Sequence, residues 1–270
     1  MSVTEVGCVL GYRVEDVAVI VLDRPAKYNA LGASMLSDLK EAVDGCGADA
    51  RSIVLASEGP HFCVGADLAE VASLCADRSG IRSFLELFHE VANSIAASTV
   101  PVIAAVQGFA LAGGLELALA CDLIVAANDA EFGDQHINVD LVPGGGGSQR
   151  LPRAIGSRRA LALQLLGDRV DARRALAWGL VHSVHSRETL RDEAVLIASR
   201  IASRDPMAVR RIRQLGRVAS AVALEDGLAI ELAVAAEHLS AIDISGPVRN
   251  YAEQRRTPVE RRDGDRRQVR

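Results

Sequence analysis

Short runs of almost uninterrupted apolar residues alternate with segments of helical spacing along the first half of the chain. The apolar runs predict four strands, over residues 17–22, 53–56, 102–106 and 123–126, and the helical spacing predicts helices over residues 34–43, 82–97 and 115–120. Strands that are apolar on both faces suit a sheet covered on both sides, and the helices are long enough to serve as crossover connections. The pattern therefore predicts an α/β fold with parallel or mixed sheets.

The pattern changes after Pro143, where helical spacing predominates. It predicts helices over residues 148–166, 171–178, 188–203, 206–217 and 224–241, with one strand over residues 180–184. The last of these helices is apolar around much of its circumference, which is more than one buried stripe requires. We therefore expect a partner helix or a second subunit to cover it, so that the chain forms an oligomer.

Composition and charge exclude several classes of partner. The 270 residues are 49% hydrophobic with a net charge of −5, which describes a globular chain without strong attraction to polyanions. Aromatic residues make up only 3% of the chain and are not interleaved with a basic patch, so nucleic acid is not expected as a partner. Because no segment approaches about 18 uninterrupted apolar residues and no basic leader precedes one, we expect no membrane contact and a cytoplasmic location.

The cysteines give no sign of a metal or disulfide framework. They are odd in number, scattered, and form no C-x-x-C pair: Cys8, Cys46, Cys63, Cys75 and Cys121. We therefore predict reduced, packed thiols and no metal site.

A glycine-containing turn, HFCVGADLAEV, is the first candidate for chemistry. Gly65 follows the predicted strand 53–56 and a short loop, and Asp67 stands where it would cap a helix that begins at Leu68. Such a cap leaves the backbone amides near Ala66 free to face a ligand. A simple glycine turn before an ordinary capped helix is the alternative interpretation.

The second candidate is the run VQGFALAGGLELALACD, in which a strand reaches Gly108 and an apolar loop leads to Gly113 and Gly114 at the start of a helix. Helix starts leave N–H groups unpaired and carry partial positive charge, so they stabilise an oxygen that gains negative charge. A phosphate-binding loop is not favoured, because the run has neither G-x-G-x-x-G spacing nor a G-K-[ST] ending.

These motifs, with others along nearly the whole chain, resemble the crotonase or enoyl-CoA hydratase/isomerase superfamily. The resemblance rests on LDRPAKYNAL, GADL, QGFALAGGLELALACD, PGGGGSQRLPRAIG and GDRVDARRALAWGLV, in that order and at family-like spacing. It implies that the peptide N–H groups of Ala66 and Gly113 hold the oxygen of an acyl-CoA thioester.

The resemblance also implies an architecture. The fold would be a crotonase-like spiral of ββα turns, with a helical C-terminal region that builds homo-trimers and often hexamers. On this basis we predict an acyl-CoA-binding core over residues 1–200, a helical oligomerisation region over residues 201–256 and a disordered basic tail over residues 257–270.

Glu116 and His136 are the candidate acid and base. Similar hydratases carry two glutamates, and Glu116 matches the first, three residues beyond Gly113 on the same helix. The second position falls on His136, which can also accept or donate a proton near neutrality. His136 is therefore either a replacement for that carboxylate or a structural histidine held by Asp134 or Asp140.

The resemblance indicates the residues that bind coenzyme A less directly than those of the acyl site. Arg24 and Lys27 are placed by the resemblance near the coenzyme A phosphates, although two surface cations would give the same pattern. The segment around Ala66 resembles the one that lines the adenine pocket in the family, which implies ligand contacts for Val64, Asp67 and Leu68. Gly114, the second glycine at the helix start, is the last residue predicted to bind the substrate. In the PGGGGSQRLPR run we expect the glycines to let the chain pass close to the acyl site, with Gln149 and Arg150 structural.

Taken together, these features predict an enzyme that adds water across a 2-enoyl-CoA in fatty acid metabolism, with no cofactor beyond the coenzyme A of the substrate. Isomerisation of an enoyl-CoA, another enolate reaction and non-catalytic binding of acyl-CoA remain alternatives. Dienoyl-CoA isomerases and hydroxyacyl-CoA hydrolases of the superfamily carry an aspartate where this chain has Gly144. A serine hydrolase is not favoured, because Ser148 and Ser157 lie in no G-x-S-x-G motif.

Overall fold

The computed structural model describes residues 4–46, 49–75, 78–219, 221–246 and 248, with the side chains of residues 4–6 excepted. It divides into two compact units, Met1–Arg213 and Gln214–Arg270, which are described separately. The predicted division at residue 200 stays a prediction, and the predicted tail, 257–270, lies outside the described residues.

The elements of the described chain alternate between strands and helices, as the apolar pattern predicts. The strands are β1 (Thr4–Val6), β2 (Val9–Val14), β3 (Val17–Leu22), β4 (Ser52–Ser57), β5 (Val102–Val106), β6 (Phe109–Leu111), β7 (Leu123–Ala127), β8 (Glu131–Gly133), β9 (Val170–Asp171) and β10 (Ser183–His185). The helices are α1 (Ala33–Cys46), α2 (Leu68–Leu74), α3 (Arg78–Ala97), α4 (Gly113–Ala120), α5 (Gly147–Ile155), α6 (Ser157–Leu166), α7 (Ala172–Ala177), α8 (Leu190–Ala202), α9 (Pro206–Ala219) and α10 (Leu224–Ala241). Two short 3-10 helices cover Pro25–Lys27 and His136–Val139.

Within the described part of the chain, the larger sheet has seven strands in the order β1-β2-β3-β4-β5-β7-β10. The first three strands are antiparallel neighbours, and the rest pair in parallel, with Ile20 opposite Leu55 and Leu55 opposite Ala104. Of the predicted parallel or mixed sheets, the larger sheet is mixed, because it contains both antiparallel and parallel pairs. Helices connect its parallel strands as crossovers.

A second row of strand pairing runs beside this sheet. Strands β6, β8 and β9 form a three-stranded sheet, and isolated bridges join Leu31 to Ala66 and Cys63 to Ala110. Each turn of the chain therefore passes through the large sheet, then through the second row and then into a helix, as in β5, β6 and α4. This is the predicted spiral of ββα turns.

The large sheet is covered on both faces, because its strands are buried at every position of β3, β4 and β5. Alternate residues of these strands contribute to two separate apolar clusters. One cluster packs against α1 and α3 and includes Ile20, Leu36, Leu39, Leu55, Val91 and Ile95. The other packs against α8 and includes Val19, Val54, Ile103, Leu190, Ala194 and Ala198. The site described below is built on the first of these faces.

Three predictions about the elements need correction. The helix predicted over residues 148–166 is two helices, because Gly156 has a φ of +85°, which breaks the backbone between α5 and α6. The strand predicted over residues 180–184 is β10, at Ser183–His185, since Leu180 and Val181 are buried in the preceding turn. The apolar loop predicted between Gly108 and the helix contains the short strand β6.

The second unit contains the end of α9 and α10. Large apolar side chains of α10 are exposed, notably Leu224, Leu228, Leu232 and Leu239. Among the described residues, no helix combines the length and the apolar character needed to cross a membrane.

Candidate active site

A largely apolar cavity of about 740 Å³ lies between α2, α3, the start of α4 and the segment that follows β8. Hydrophobic side chains line much of it, including Val71, Ile81, Phe84, Leu85, Phe88 and Leu141. Ala66, Gly113, Glu116 and His136 also line it. The structure therefore brings all four residues predicted for the chemistry to one cavity.

The backbone amides of Ala66 and Gly113 are available to a ligand. Among the described residues, neither N–H group donates a hydrogen bond to another residue. The two segments lie against each other, because a Cβ atom on Gly65 would stand 3.1 Å from the nitrogen of Gly113. Gly65 also has a φ of +101°, so glycine is required there both for space and for conformation.

The predicted cap next to Ala66 is confirmed. Asp67 is the N-cap of α2, and its side chain accepts a hydrogen bond from the amide of Ala69 at 3.2 Å. The amide of Asp67 itself donates to the carbonyl of Leu31. On the other side, the carbonyl of Gly65 accepts from the amide of Leu31, so the chain is fixed on both sides of the Ala66 amide.

Ala112 holds the Gly113 amide in place through an unusual backbone conformation. Its φ of 47° and ψ of −118° lie in a region that an alanine rarely adopts, at a cost on the order of 1–3 kcal/mol. Its amide donates to the carbonyl of Gly133, and its carbonyl accepts from the amide of Glu116. Because ψ of Ala112 sets the plane of the next peptide, this conformation determines where the N–H of Gly113 points.

Glu116 is almost fully buried, with 1% of its surface exposed, on the first turn of α4. Its Oε1 atom accepts hydrogen bonds from the amides of Gly145 at 2.8 Å and Gly147 at 2.7 Å, whereas Oε2 has no hydrogen-bond partner among the described residues. Burial raises the pKa of Glu116 above its ordinary value, although the two amides and nearby His136 oppose that rise. The carboxylate is thus oriented by one oxygen and leaves the other for chemistry.

The loop between β8 and α5 needs glycine at two positions because its backbone lies close to the Glu116 carboxylate. A Cβ atom on Gly145 would stand 2.7 Å from Oε2 of Glu116, and one on Gly147 would stand 3.0 Å from Oε1. Arg150 donates to the carbonyl of Gly145 at 2.9 Å and to Oδ1 of Asn93 at 3.2 Å. The predicted close passage of this loop is confirmed, and Arg150 holds it in place.

His136 lies between two carboxylates. Its Nδ1 atom is 2.7 Å from Oδ1 of Asp134, and its Nε2 atom is 3.7 Å from Oε2 of Glu116. Burial alone would lower the pKa of His136, but the hydrogen bond to Asp134 and the charges of both carboxylates outweigh it and raise that pKa. Of the two predicted interpretations, the structure shows that Asp134 holds His136 and that His136 still lines the cavity.

The predicted coenzyme A residues are distributed unequally. Lys27, Val64, Asp67 and Leu68 line the cavity. Arg24 does not line it; its guanidinium pairs with Oδ2 of Asp67 at 3.0 Å and also bonds the carbonyl of Ala30. The structure therefore supports Lys27 more directly than Arg24 as a residue that could meet the ligand.

Gly114 and Cys75 depart from their predicted positions. Gly114 is buried and does not line the cavity; a Cβ atom there would stand 2.1 Å from the carbonyl oxygen of Cys63, so its role is steric. Cys75 is exposed and lines the cavity, which corrects the prediction that all five thiols are packed.

Sequence reasoning missed the backbone role of Ala112 and the apolar wall that α3 contributes. Alanine gives no signal of a positive φ, so nothing in the sequence indicated the conformation of Ala112. The wall could have been found, because Phe84 and Phe88 are four residues apart on one face of a predicted helix.

Comparison with known proteins places this geometry in context. The chain matches the family model for enoyl-CoA hydratase/isomerase over residues 13–262. It is 40% identical over 199 residues to a crotonyl-CoA hydratase of Syntrophomonas wolfei subsp. wolfei, with 73% of this chain and 76% of the relative covered. It is 39% identical over 234 residues to the mitochondrial methylglutaconyl-CoA hydratase of Mus musculus, covering 84% and 74% of the two chains. A solved structure of an enoyl-CoA hydratase from Bacillus anthracis is similar, with a TM-score of 0.85, 33% identity and coverage of 93% of this chain and 98% of that chain.

Proposed function

This chain belongs to the enoyl-CoA hydratase/isomerase family, and on that premise we propose that it adds water across the double bond of a 2-enoyl-CoA thioester. The observation that carries the proposal is that two unpaired backbone amides and two acid-base side chains of the described residues line one apolar cavity. The amides belong to Ala66 and Gly113, and the side chains to Glu116 and His136.

The two amides would bind the thioester oxygen. As water adds to the β carbon, the π electrons move toward the carbonyl and its oxygen gains the charge of an enolate. Two fixed N–H donors stabilise that charge without reorganising, and losing one such donor typically costs about 2.7–4 kcal/mol. The partial positive charge at the start of α4, where Gly113 lies, acts in the same direction.

Glu116 would be the principal acid or base, with His136 assisting. Hydration needs one group that takes a proton from water and one that gives a proton to the α carbon. The free Oε2 atom of Glu116 and the Nε2 atom of His136 are 3.7 Å apart, so both groups can reach adjacent carbons of one substrate. Lys27 supplies a cation at the cavity for the phosphates of coenzyme A.

A direct assay tests the proposal. Full-length protein mixed with crotonyl-CoA should remove the absorbance of the conjugated thioester, and the product should gain the mass of one water. Glu116→Gln should lower kcat by about 10²–10⁴-fold, whereas Glu41→Gln, the same change at an exposed position of α1, should not. No turnover of any 2-enoyl-CoA, or full activity of Glu116→Gln, would refute the proposal.

The same samples separate the alternative functions. An isomerase would convert a 3-enoyl-CoA to its 2-enoyl isomer in water without a gain in mass, because one base can move a proton between two carbons. A non-catalytic binding protein would bind acyl-CoA and leave every thioester unchanged.

Trimer or hexamer formation is part of the proposal. It is supported by the exposed leucines of α10, Leu224, Leu228, Leu232 and Leu239, which form more apolar surface than a solvated helix carries. Light scattering coupled to size exclusion would give the mass of the assembly, and a monomer at micromolar concentration would contradict it. A cytoplasmic location and a place in fatty acid metabolism stay predictions from the sequence.

A further inference from the structure

We propose that Asp134 is a positioning residue that fixes one tautomer of His136, so that the pair has the charge states of a single carboxylic acid and only Nε2 faces the substrate. This inference rests on the proposed hydratase function, since it concerns the group that assists Glu116. Nothing in the similarity to known proteins assigns a role to Asp134.

The geometry leaves His136 little freedom. Asp134 is buried, with 2% of its side chain exposed, and its Oδ1 atom is 2.7 Å from Nδ1 of His136. The amide of His136 also donates to the carbonyl of Asp134 at 2.7 Å. Between them, Gln135 has a φ of +56°, which reverses the chain so that two side chains only two positions apart can meet. Nδ1 therefore carries a hydrogen that it donates to Asp134, and Nε2 is left beside Oε2 of Glu116, another residue that lines the cavity.

Only a few charged or polar groups of the described chain surround the dyad formed by Asp134 and His136. Glu116 on α4 faces Nε2 of His136. On α6, the neutral side chain of Gln164 donates to Oδ2 of Asp134 at 3.4 Å. Arg150 on α5 interacts electrostatically with Glu116 and bonds the glycine loop. Among the described residues, Asp134 and Glu116 are thus the only acids that face His136 directly.

The dyad has the charge of a carboxyl group in each protonation state. With Asp134 ionised, protonated His136 makes the pair neutral, and neutral His136 makes it carry one negative charge. A lone buried imidazole would instead alternate between one positive charge and none. Because Glu116 lies 3.7 Å away, this difference in charge changes how readily Nε2 gives up its proton.

The proton balance follows from this arrangement. Ionised Glu116 takes a proton from water while the water oxygen bonds the β carbon, and the π electrons of the double bond move into the thioester enolate. The enolate then takes a proton at the α carbon from Nε2 of His136. Glu116 has then gained one proton, and His136 has lost one. Transfer of the proton from Glu116 to Nε2 of His136 restores the starting state.

The first test needs no substrate. ¹⁵N NMR of protein labelled at its six histidines reports which ring nitrogen carries the proton. His136 is assigned by the loss of its signal in His136→Gln. In its neutral form, His136 should carry its proton on Nδ1. Asp134→Asn should lower the pKa of His136, because a neutral amide replaces the carboxylate. Asp140→Asn, the same chemical change at an exposed position of the same segment, should leave it unchanged. A proton on Nε2 in the neutral wild type, or an unchanged pKa in Asp134→Asn, overturns the proposal.

The second test uses activity. Asp134→Asn should lower kcat by about 10²-fold and change KM only slightly. Because His136 must be protonated to act as the acid, the alkaline limb of the pH profile of kcat should move to lower pH. Asp140→Asn should keep the wild-type profile. Thermal unfolding of each variant identifies any loss of fold. An unchanged profile in folded Asp134→Asn overturns the role of Asp134, whereas no turnover by the wild type refutes the hydratase function and leaves the histidine measurements to decide the tautomer.

A double variant tests the charge equivalence. His136→Glu alone places a third carboxyl group between Asp134 and Glu116, so it should be poorly active. The double variant Asp134→Asn with His136→Glu leaves a single carboxyl group opposite Glu116, as the Asp134–His136 pair does in the wild type, and should exceed the single variant by about 10-fold or more. Equal activity of the two variants contradicts the equivalence.

Discussion

Oε2 of Glu116 faces Nε2 of His136 across 3.7 Å, while Oε1 of the same carboxylate is held by two backbone amides. The two oxygens therefore have separate roles. Oε1 accepts from Gly145 and Gly147 and fixes the glycine loop, and Oε2 is left to interact with His136 and the contents of the cavity. A separation of 3.7 Å is too long for a strong hydrogen bond, so the two groups act on each other mainly through charge.

The two roles of Glu116 should separate in two substitutions. Glu116→Gln keeps an oxygen for the amides of Gly145 and Gly147, so its melting temperature should stay at or above that of the wild type while kcat falls. Glu116→Ala leaves both buried amides unpaired and should lower the free energy of unfolding by about 1–3 kcal/mol per amide. Urea unfolding of the two variants checks this, and equal stability of Gln and Ala would show that the loop does not depend on Oε1.

Stability should fall as pH rises through the range in which these groups titrate. The folded pKa of His136 is raised above its ordinary value of 6.5, so the folded state binds more protons than the unfolded state there. Its stabilising contribution is complete below the unfolded pKa and is lost as pH rises through the folded pKa. The pKa of Glu116 is also raised, so its burial costs increasingly more above 4.5.

The measurement for this prediction is the difference in unfolding free energy between the wild type and His136→Gln, taken from about pH 5.5 to about pH 9. The difference should favour the wild type most at the acid end and shrink toward the alkaline end. An opposite slope would mean that the folded pKa of His136 is lowered.

Continuous apolar runs and helix caps were the features that the sequence predicted well. The bounds of β3 and β5 match the predicted 17–22 and 102–106, because strands buried on both faces leave an unbroken apolar signal. The start of α2 at Leu68 was predicted from Asp67, whose capping chemistry is local.

Features that depend on distant contacts or on single dihedral angles could not be predicted. Strands β6 and β8 have only three residues each, which is too short for a periodic pattern. Glu116 and Gly145 are far apart in sequence, so their hydrogen bond follows from the fold. The sequence offered Asp134 and Asp140 equally as partners of His136, and the choice of Asp134 depends on the positive φ of Gln135, which glutamine does not signal.

Gly114→Ala should destabilise the fold severely, which tests its steric role. The new Cβ atom would stand 2.1 Å from the backbone oxygen of Cys63, and neither backbone can move freely. A loss of about 3 kcal/mol or more, or failure to fold, is expected. Gly45→Ala in α1, where a Cβ atom meets nothing within 4 Å, should instead stabilise by up to about 1 kcal/mol. A Gly114→Ala variant as stable as Gly45→Ala would contradict the close approach of α4 to the Cys63 carbonyl.

Lys27→Ala should weaken the binding of coenzyme A thioesters without affecting the chemical step. The chain has only one other lysine, Lys40, which pairs with Asp44 on α1 and serves as a matched control. KM for an enoyl-CoA should rise several-fold in Lys27→Ala with kcat unchanged, and the rise should shrink at high salt. Lys40→Ala should leave both constants unchanged. Equal effects of the two variants would place the phosphates elsewhere.

The cavity should select uncharged acyl groups. Among the described residues that line it, Lys27 is the only lysine or arginine, and the lining is apolar at Phe84, Leu85 and Phe88. A carboxylate at the end of an acyl group would lose hydration there. Lys27 is assigned to the phosphates of coenzyme A and His136 is paired with Asp134, so the effective cost should be several kcal/mol. We therefore expect kcat/KM for 2-octenoyl-CoA to exceed that for 3-methylglutaconyl-CoA by at least about 100-fold.

A methyl ester of the second substrate separates charge from shape in this prediction. The ester keeps the branched carbon skeleton of the methylglutaconyl group but carries no negative charge. Its kcat/KM should recover most of the difference if desolvation of the carboxylate is the cause, because the apolar wall accepts an uncharged group of that size. Equal and low values for acid and ester would assign the discrimination to shape, and a high value for the acid would mean that a cation outside the described lining reaches the acyl group.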